Sequence, residues 1–166
     1  MSTRLLVTLM TIFSQATVAA PKAPLQVFAY EIGSESIDQW DAQTETNKQT
    51  STEILGLFTE KHDSKTKLMM FRRPSPGDKA CEQEKISYNA AKKVKREVTY
   101  EALPSPPGWS CVFRAKNFGT ETLTGVRTFV VKGKSRSLPY AIVFSAESMS
   151  EKRFMAILSS TTETKK

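Results

Sequence analysis

Few side chains in this sequence could carry chemistry, and their spacing limits what that chemistry could be. His62 is the single histidine among 166 residues, so neither a multi-histidine metal site nor a Ser-His-acid relay can be assembled around more than one imidazole. Ser64-Lys65-Thr66-Lys67 contains the Ser-x-x-Lys spacing of serine acyl-transferases. Those enzymes need it at a helix start, with the lysine one turn away, whereas this stretch reads as a loop between two apolar runs. Gly133-Lys134-Ser135 matches the end of a phosphate-binding loop, but the required glycine five positions earlier is Thr128, and the stretch falls in a hairpin turn. The carboxylates Glu31, Asp38, Asp41, Glu45 and Glu147 could pair for acid–base work, yet no spacing brings any two together. No catalytic residue, metal site or cofactor is assigned on this basis, and a non-enzymatic role is expected ahead of an enzyme of unrecognised class.

Two other groups of residues stand out. Cys81 and Cys111 are the only cysteines. In an oxidising compartment they are expected to form one disulfide, which the chain-entropy account values at about 3–4 kcal/mol. Lys92, Lys93, Lys95 and Arg96 form a basic run, and Lys132, Lys134 and Arg136 form another. Together they would make a polyanion site for an anionic polymer or lipid headgroups, provided both runs lie on one side of the molecule. Otherwise they are solvated surface. Tyr88 and Tyr100 flank the first run, but aromatics alternating in strands usually build cores, so nucleic acid is disfavoured as a partner.

The N-terminus sets the compartment. Residues 1–20 read as a secretory signal, with Arg4 as the positive n-region, an apolar core over residues 5–13 and small residues at Ala16, Val18, Ala19 and Ala20. Cleavage after Ala16 or after Ala19 stays open, because a cut after Ala20 leaves Pro21 at the new terminus. The formal charge is +7 for the whole chain and +6 without these twenty residues. No later stretch is long and apolar enough to be a transmembrane segment. The expectation is a secreted or periplasmic protein whose residues 21–166 form a single α+β domain.

The elements that must position these residues follow from hydrophobic period. Residues 126–132 and 140–146 are rich in β-branched and aromatic residues with a polar turn at 133–139 between them, which is a hairpin. Ser148-Met149-Ser150-Glu151 has the capping-box spacing, with Ser148 at the N-cap, and the helix after it puts Phe154, Ile157 and Leu158 on one face. Residues 25–32 read as one strand, apolar on both sides. Residues 34–51 are either a helix or a long loop anchored by Trp40, whose indole N–H needs an acceptor. Residues 53–61 and 67–73 form a second hairpin, with a short helix from Thr50 to Leu55 as the competing reading. Asp78 caps a helix carrying Cys81, whose acids Glu82 and Glu84 come first and whose bases come last, with Ile86, Ala90 and Val94 as its apolar stripe. Strands follow over 97–103 and 109–117, a turn over 118–125, and a frayed polar tail over 161–166.

The sum is an antiparallel β-sheet with helices packed on it and a C-terminal helix closing the sandwich. This order resembles the PsbP-like α/β/α sandwich family, carried by Leu68-Met69-Met70-Phe71-Arg72-Arg73-Pro74 as the second hairpin strand. At the end, Leu138-Pro139-Tyr140-Ala141-Ile142-Val143-Phe144-Ser145-Ala146-Glu147 is followed by Phe154-Met155-Ala156-Ile157-Leu158-Ser159-Ser160. The resemblance implies a scaffold that binds a protein partner or helps assemble a complex, here a partner of the cell envelope; no site residue transfers with it.

Overall fold

The computed structural model describes residues 22–43, 52–75, 77–91, 98–117, 119–132 and 137–164. The signal read over residues 1–20 lies outside the described residues. In chain order the elements are β1 (Pro24–Val27), β2 (Tyr30–Ser36), a 3-10 turn (Ile37–Gln39), β3 (Trp40–Gln43), β4 (Glu53–Glu60), β5 (Lys67–Pro74), a second 3-10 turn (Gly77–Lys79) and α1 (Ala80–Ala91). They continue as β6 (Thr99–Leu103), β7 (Cys111–Asn117), β8 (Thr120–Lys132), β9 (Ser137–Glu147), α2 (Glu151–Ser160) and β10 (Thr161–Glu163).

A seven-stranded antiparallel sheet, ordered β3-β4-β5-β9-β8-β7-β6, forms the middle layer. Its period-2 alternation splits the side chains into two cores. Leu68, Met70, Val112, Leu123, Ile142, Phe144 and Ala146 face α2, where they meet Phe154, Ile157 and Leu158. Phe113, Val126, Ala141 and Val143 face α1. A three-stranded sheet, β1-β2-β10, adds Leu25, Val27 and Ile32 to the α2 side. The fold is therefore α+β, with the C-terminal helix closing one face as its apolar stripe predicts.

One polar cluster ties the small sheet to the rest. Trp40 is buried, and its indole N–H donates to Glu35 Oε2 at 3.1 Å. Arg153 of α2 donates to both oxygens of Glu35, at 3.0 and 2.8 Å, and to Glu60 at 2.8 Å. A buried carboxylate survives only when its lone pairs are taken, and three N–H donors from two elements satisfy Glu35.

The structure corrects several expectations. Residues 25–32 are not one strand: Phe28 and Ala29 turn the chain from β1 into β2, with Phe28 at φ 54° and 60% exposed. Residues 34–43 are neither a long helix nor a loop, because β2 runs to Ser36 and Trp40 opens β3; residues 44–51 lie outside the described residues. The competing helix at Thr50–Leu55 loses to β4, whose apolar Leu55 and Phe58 have a core to enter only as strand residues. The stretch 118–125 is mostly strand, since β8 starts at Thr120. Its Gly125 is no turn glycine. A Cβ there would sit 2.8 Å from Leu158 Cδ1, so the missing side chain lets α2 rest on the sheet.

The tail is not frayed through 161–163, because β10 pairs with β2. The helix cap is Ser150 and not Ser148. Ser150 Oγ accepts from the Arg153 N–H at 3.3 Å, while Ser148 is held at φ 53° in the turn leaving β9. That left-handed conformation is not the extended one an N-cap needs. The stripe Ile86, Ala90 and Val94 does not pack inward. Ile86 is 57% exposed, Ala90 is exposed, and Val94 lies outside the described residues.

Candidate functional site

The rotation of α1 explains how the site is made. Cys81 is bonded to Cys111 of β7, with Cα atoms 6.2 Å apart, so position 81 must face the sheet. At 3.6 residues per turn, Glu84 and Tyr88 then fall within about 60° of Cys81 and Ile86 about 140° away. The helix thus turns a largely polar face inward. Ala80 and the cystine supply its apolar contacts with Phe113 and Val126. Tyr88 reaches Thr122 Oγ1 at 3.2 Å and meets the Tyr100 ring edge-on at 6.4 Å. The Tyr100 hydroxyl lies 3.0 Å from the Lys85 carbonyl and 2.6 Å from Asn89 Oδ1.

Glu84 is the buried acid of this region. It is 5% exposed and ion-paired with Arg73 of β5, whose guanidinium carbon lies 5.8 Å from the centre of the Phe71 ring. Burial pushes the Glu84 carboxyl up from its ordinary value, and Arg73 opposes the shift. The pair ties α1 to the sheet away from the cystine.

Because α1 is anchored over β7 and β8, the same face of β4 and β5 is left beside it, and a groove of about 300 Å³ runs between. Ile54, Met69, Phe71 and Val143 form an apolar floor. Ser87 and Tyr88 from α1, with Thr122, Thr124 and Ser145 from the sheet, line the other side with hydroxyls. Arg73 and Glu84 close one end and Glu147 the other. In register, the floor changes from apolar to polar along the strands: Phe71 stands opposite Val143, Met69 opposite Ser145, and Lys67 opposite Glu147. A concave site with an apolar floor and a few convergent polar groups is the arrangement that binds ligands in general.

A second cleft, of about 560 Å³, opens beside the small sheet between Phe28, Tyr30, Leu55, Phe129 and Val130, with Glu53, Arg72 and Glu163 on its rim. Arg72 Nε donates to Glu53 Oε2 at 3.0 Å, and its guanidinium lies 5.9 Å over Tyr140, which stacks on Phe129. Its rim cation is thereby committed within the protein.

Of the residues singled out by sequence, Cys81 and Cys111 are brought together. Lys92, Lys93, Lys95, Arg96, Lys134 and Arg136 lie outside the described residues, and Lys132 is described only as the last residue of β8. His62 and Ser64 are exposed in the β4–β5 loop, far along the strand from Arg73 and Glu84. Glu31 belongs to the small sheet, Asp38 to the first 3-10 turn and Asp41 to β3; Glu45 lies outside the described residues, and Glu147 reaches the groove. Among the described residues no three His, Cys, Asp or Glu gather as a metal site, and no helix is long and apolar enough to cross a membrane. Sequence reasoning missed Arg73, Glu84 and the row of hydroxyls. The signal was present in the expected disulfide, which fixes the phase of α1 and turns Glu84 inward.

No family model matches the sequence, and no curated protein does. Among solved structures, the chain is similar to the solution structure of cyanobacterial PsbP (CyanoP) from Synechocystis sp. PCC 6803, at 15% identity and a TM-score of 0.51, over 87% of this chain and 95% of that one. Its two-layered helix cover on an antiparallel sheet is therefore a PsbP-like architecture.

Proposed function

We propose that the chain is an exported, non-enzymatic binding or assembly protein of the cell envelope or extracellular space, and that the groove beside α1 is where it engages its ligand or partner. The observation that carries this reading is the groove's own composition. Its floor is apolar, with Ile54, Met69 and Phe71 partly exposed over a buried Val143, and the acid best buried in it, Glu84, is committed to an ion pair with Arg73. The cystine supports export, since such bonds persist in oxidising compartments, as does the signal read in residues 1–20. The basic runs supply a second reading, favoured by the formal charge of +7: a polyanion held by surface charge.

A photo-crosslinking residue placed at Ser87, in the groove wall, and another at Ile86, on the outer side of α1, separate the readings. Cross-links from position 87 and not 86, surviving high salt and lost in Met69→Lys, are the expected result. Capture that disappears at high salt and is indifferent to Met69→Lys would replace the groove with the basic surface. Turnover of an envelope substrate by the purified protein would overturn the non-enzymatic reading.

A further inference from the structure

We infer that the occupant of this groove is an uncharged amphiphile, with an acyl- or isoprenoid-type body and a hydroxyl or carbonyl head; the inference rests on the binding role proposed above. Charge complementarity sets the class. The cation and the buried acid at one end, Arg73 and Glu84, already neutralise each other, and Glu147 at the other end is also engaged within the protein. A charged ligand would therefore be desolvated without gaining a free counter-charge from the described residues that line the groove, which is unfavourable in an apolar setting.

The polar side of the groove leads to the same conclusion. Ser87, Thr124 and Ser145 offer hydroxyls, which both donate and accept and so match alcohols, esters and ketones better than they match ions. The gradient along the floor then gives a direction. The body lies over Phe71 and Val143, and the head lies toward Ser145 and Thr124, which are opposite one another in the β8–β9 ladder. A volume of about 300 Å³ suits one medium-length chain or a small ring system and not a folded segment of protein.

The test is a titration of isotope-labelled, oxidised protein by NMR, below the aggregation concentration of each probe, with monolaurin, laurate and dodecyltrimethylammonium. They share the apolar body and differ in head charge. Monolaurin should move the amide signals of Met69, Phe71, Ser87 and Ser145, and should bind about tenfold or more tightly than either ion. Ser145→Val should weaken monolaurin while leaving the weaker ions unchanged, and Met69→Lys should remove monolaurin binding with the cystine and near-UV spectrum intact.

Equal binding of all three probes, or shifts confined to the cleft at Phe28 and Phe129, would overturn the inference. So would no binding of any probe. If the cross-link from position 87 persists in that last case, the groove still binds a partner and only the ligand class falls; if both fail, the binding role falls with it.

Discussion

The Arg153 guanidinium lies 5.1 Å above the ring of Trp40 while both side chains hydrogen-bond the same carboxylate, that of Glu35. Arg153 comes from α2, Trp40 from β3 and Glu35 from β2, so one buried acid joins two successive strands to a helix 118 residues further along the chain. Hydrogen bonds that Arg153 donates to Glu35 and Glu60 hold its pKa well above the usual range.

Removing the arginine alone should therefore be costly. Arg153→Met leaves Glu35 buried without its main partner, and the expected loss is about 3–5 kcal/mol. The double variant Arg153→Met/Glu35→Gln should recover a large part of it. Urea unfolding followed by tryptophan fluorescence checks both, and additive losses would show that the two residues do not act as a unit.

Glu84 gives a pH dependence whose sign can be stated. Its folded-state pKa is raised above the ordinary 4.5 by burial, so the native state binds more protons than the unfolded state between the two values. In that window stability falls as pH rises. Glu84→Gln lacks this contribution. The stability difference between wild type and Glu84→Gln should shift in favour of wild type on acidification from about pH 8 to about pH 4, below the ordinary value. A difference independent of pH would mean that the carboxyl is not perturbed.

The cystine should matter more for α1 than for the rest of the fold. The helix presents Ala80, Cys81, an ion pair and tyrosine contacts to the sheet, and leaves Ile86 outside. The double variant Cys81→Ser/Cys111→Ser should lose about 3–4 kcal/mol by the loop-entropy account. Hydrogen exchange should show the amides of α1 opening well before those of β5, β8 and β9. Uniform loss of protection would contradict this.

The start of α2 can be tested from both serines. Ser150→Ala removes the side chain that accepts the Arg153 N–H and should cost about 1 kcal/mol. Ser148→Gly, at φ 53°, should cost nothing or stabilise slightly, because glycine takes a left-handed conformation without strain. Thermal melts of the two variants distinguish the caps; the reverse order would restore Ser148 as the capping residue.

How much could be read in advance depended on whether a local pattern had a long-range competitor. The β8–β9 and β4–β5 hairpins and the inward face of α2 follow from alternation and from Phe154, Ile157 and Leu158, and the structure has them all. The small sheet was not legible. Ile32 finds its partners in Leu25, seven residues earlier, and in Thr161, at the far end of the chain, and no local period reports the second pairing. The phase of α1 was misread because Ile86 and Ala90 suggest a stripe, whereas the covalent bond at Cys81 outweighs any modest burial gained by turning Ile86 inward. The groove follows from that rotation and from a sheet wider than the helix, neither of which a linear pattern expresses.

The pairing of β1 and β10 with opposite edges of β2 has a mechanical consequence. Both run antiparallel to β2, so the chain enters the small sheet at Pro24, beside Ser36, and leaves it past Glu163, beside Tyr30. Tension applied between Pro24 and Thr164 acts along the strands and strains the two ladders in shear, with their hydrogen bonds sharing the force. Stretching single molecules from these two points should give a distinct rupture peak before the seven-stranded sheet yields. A pull that peeled β10 away one bond at a time would give none.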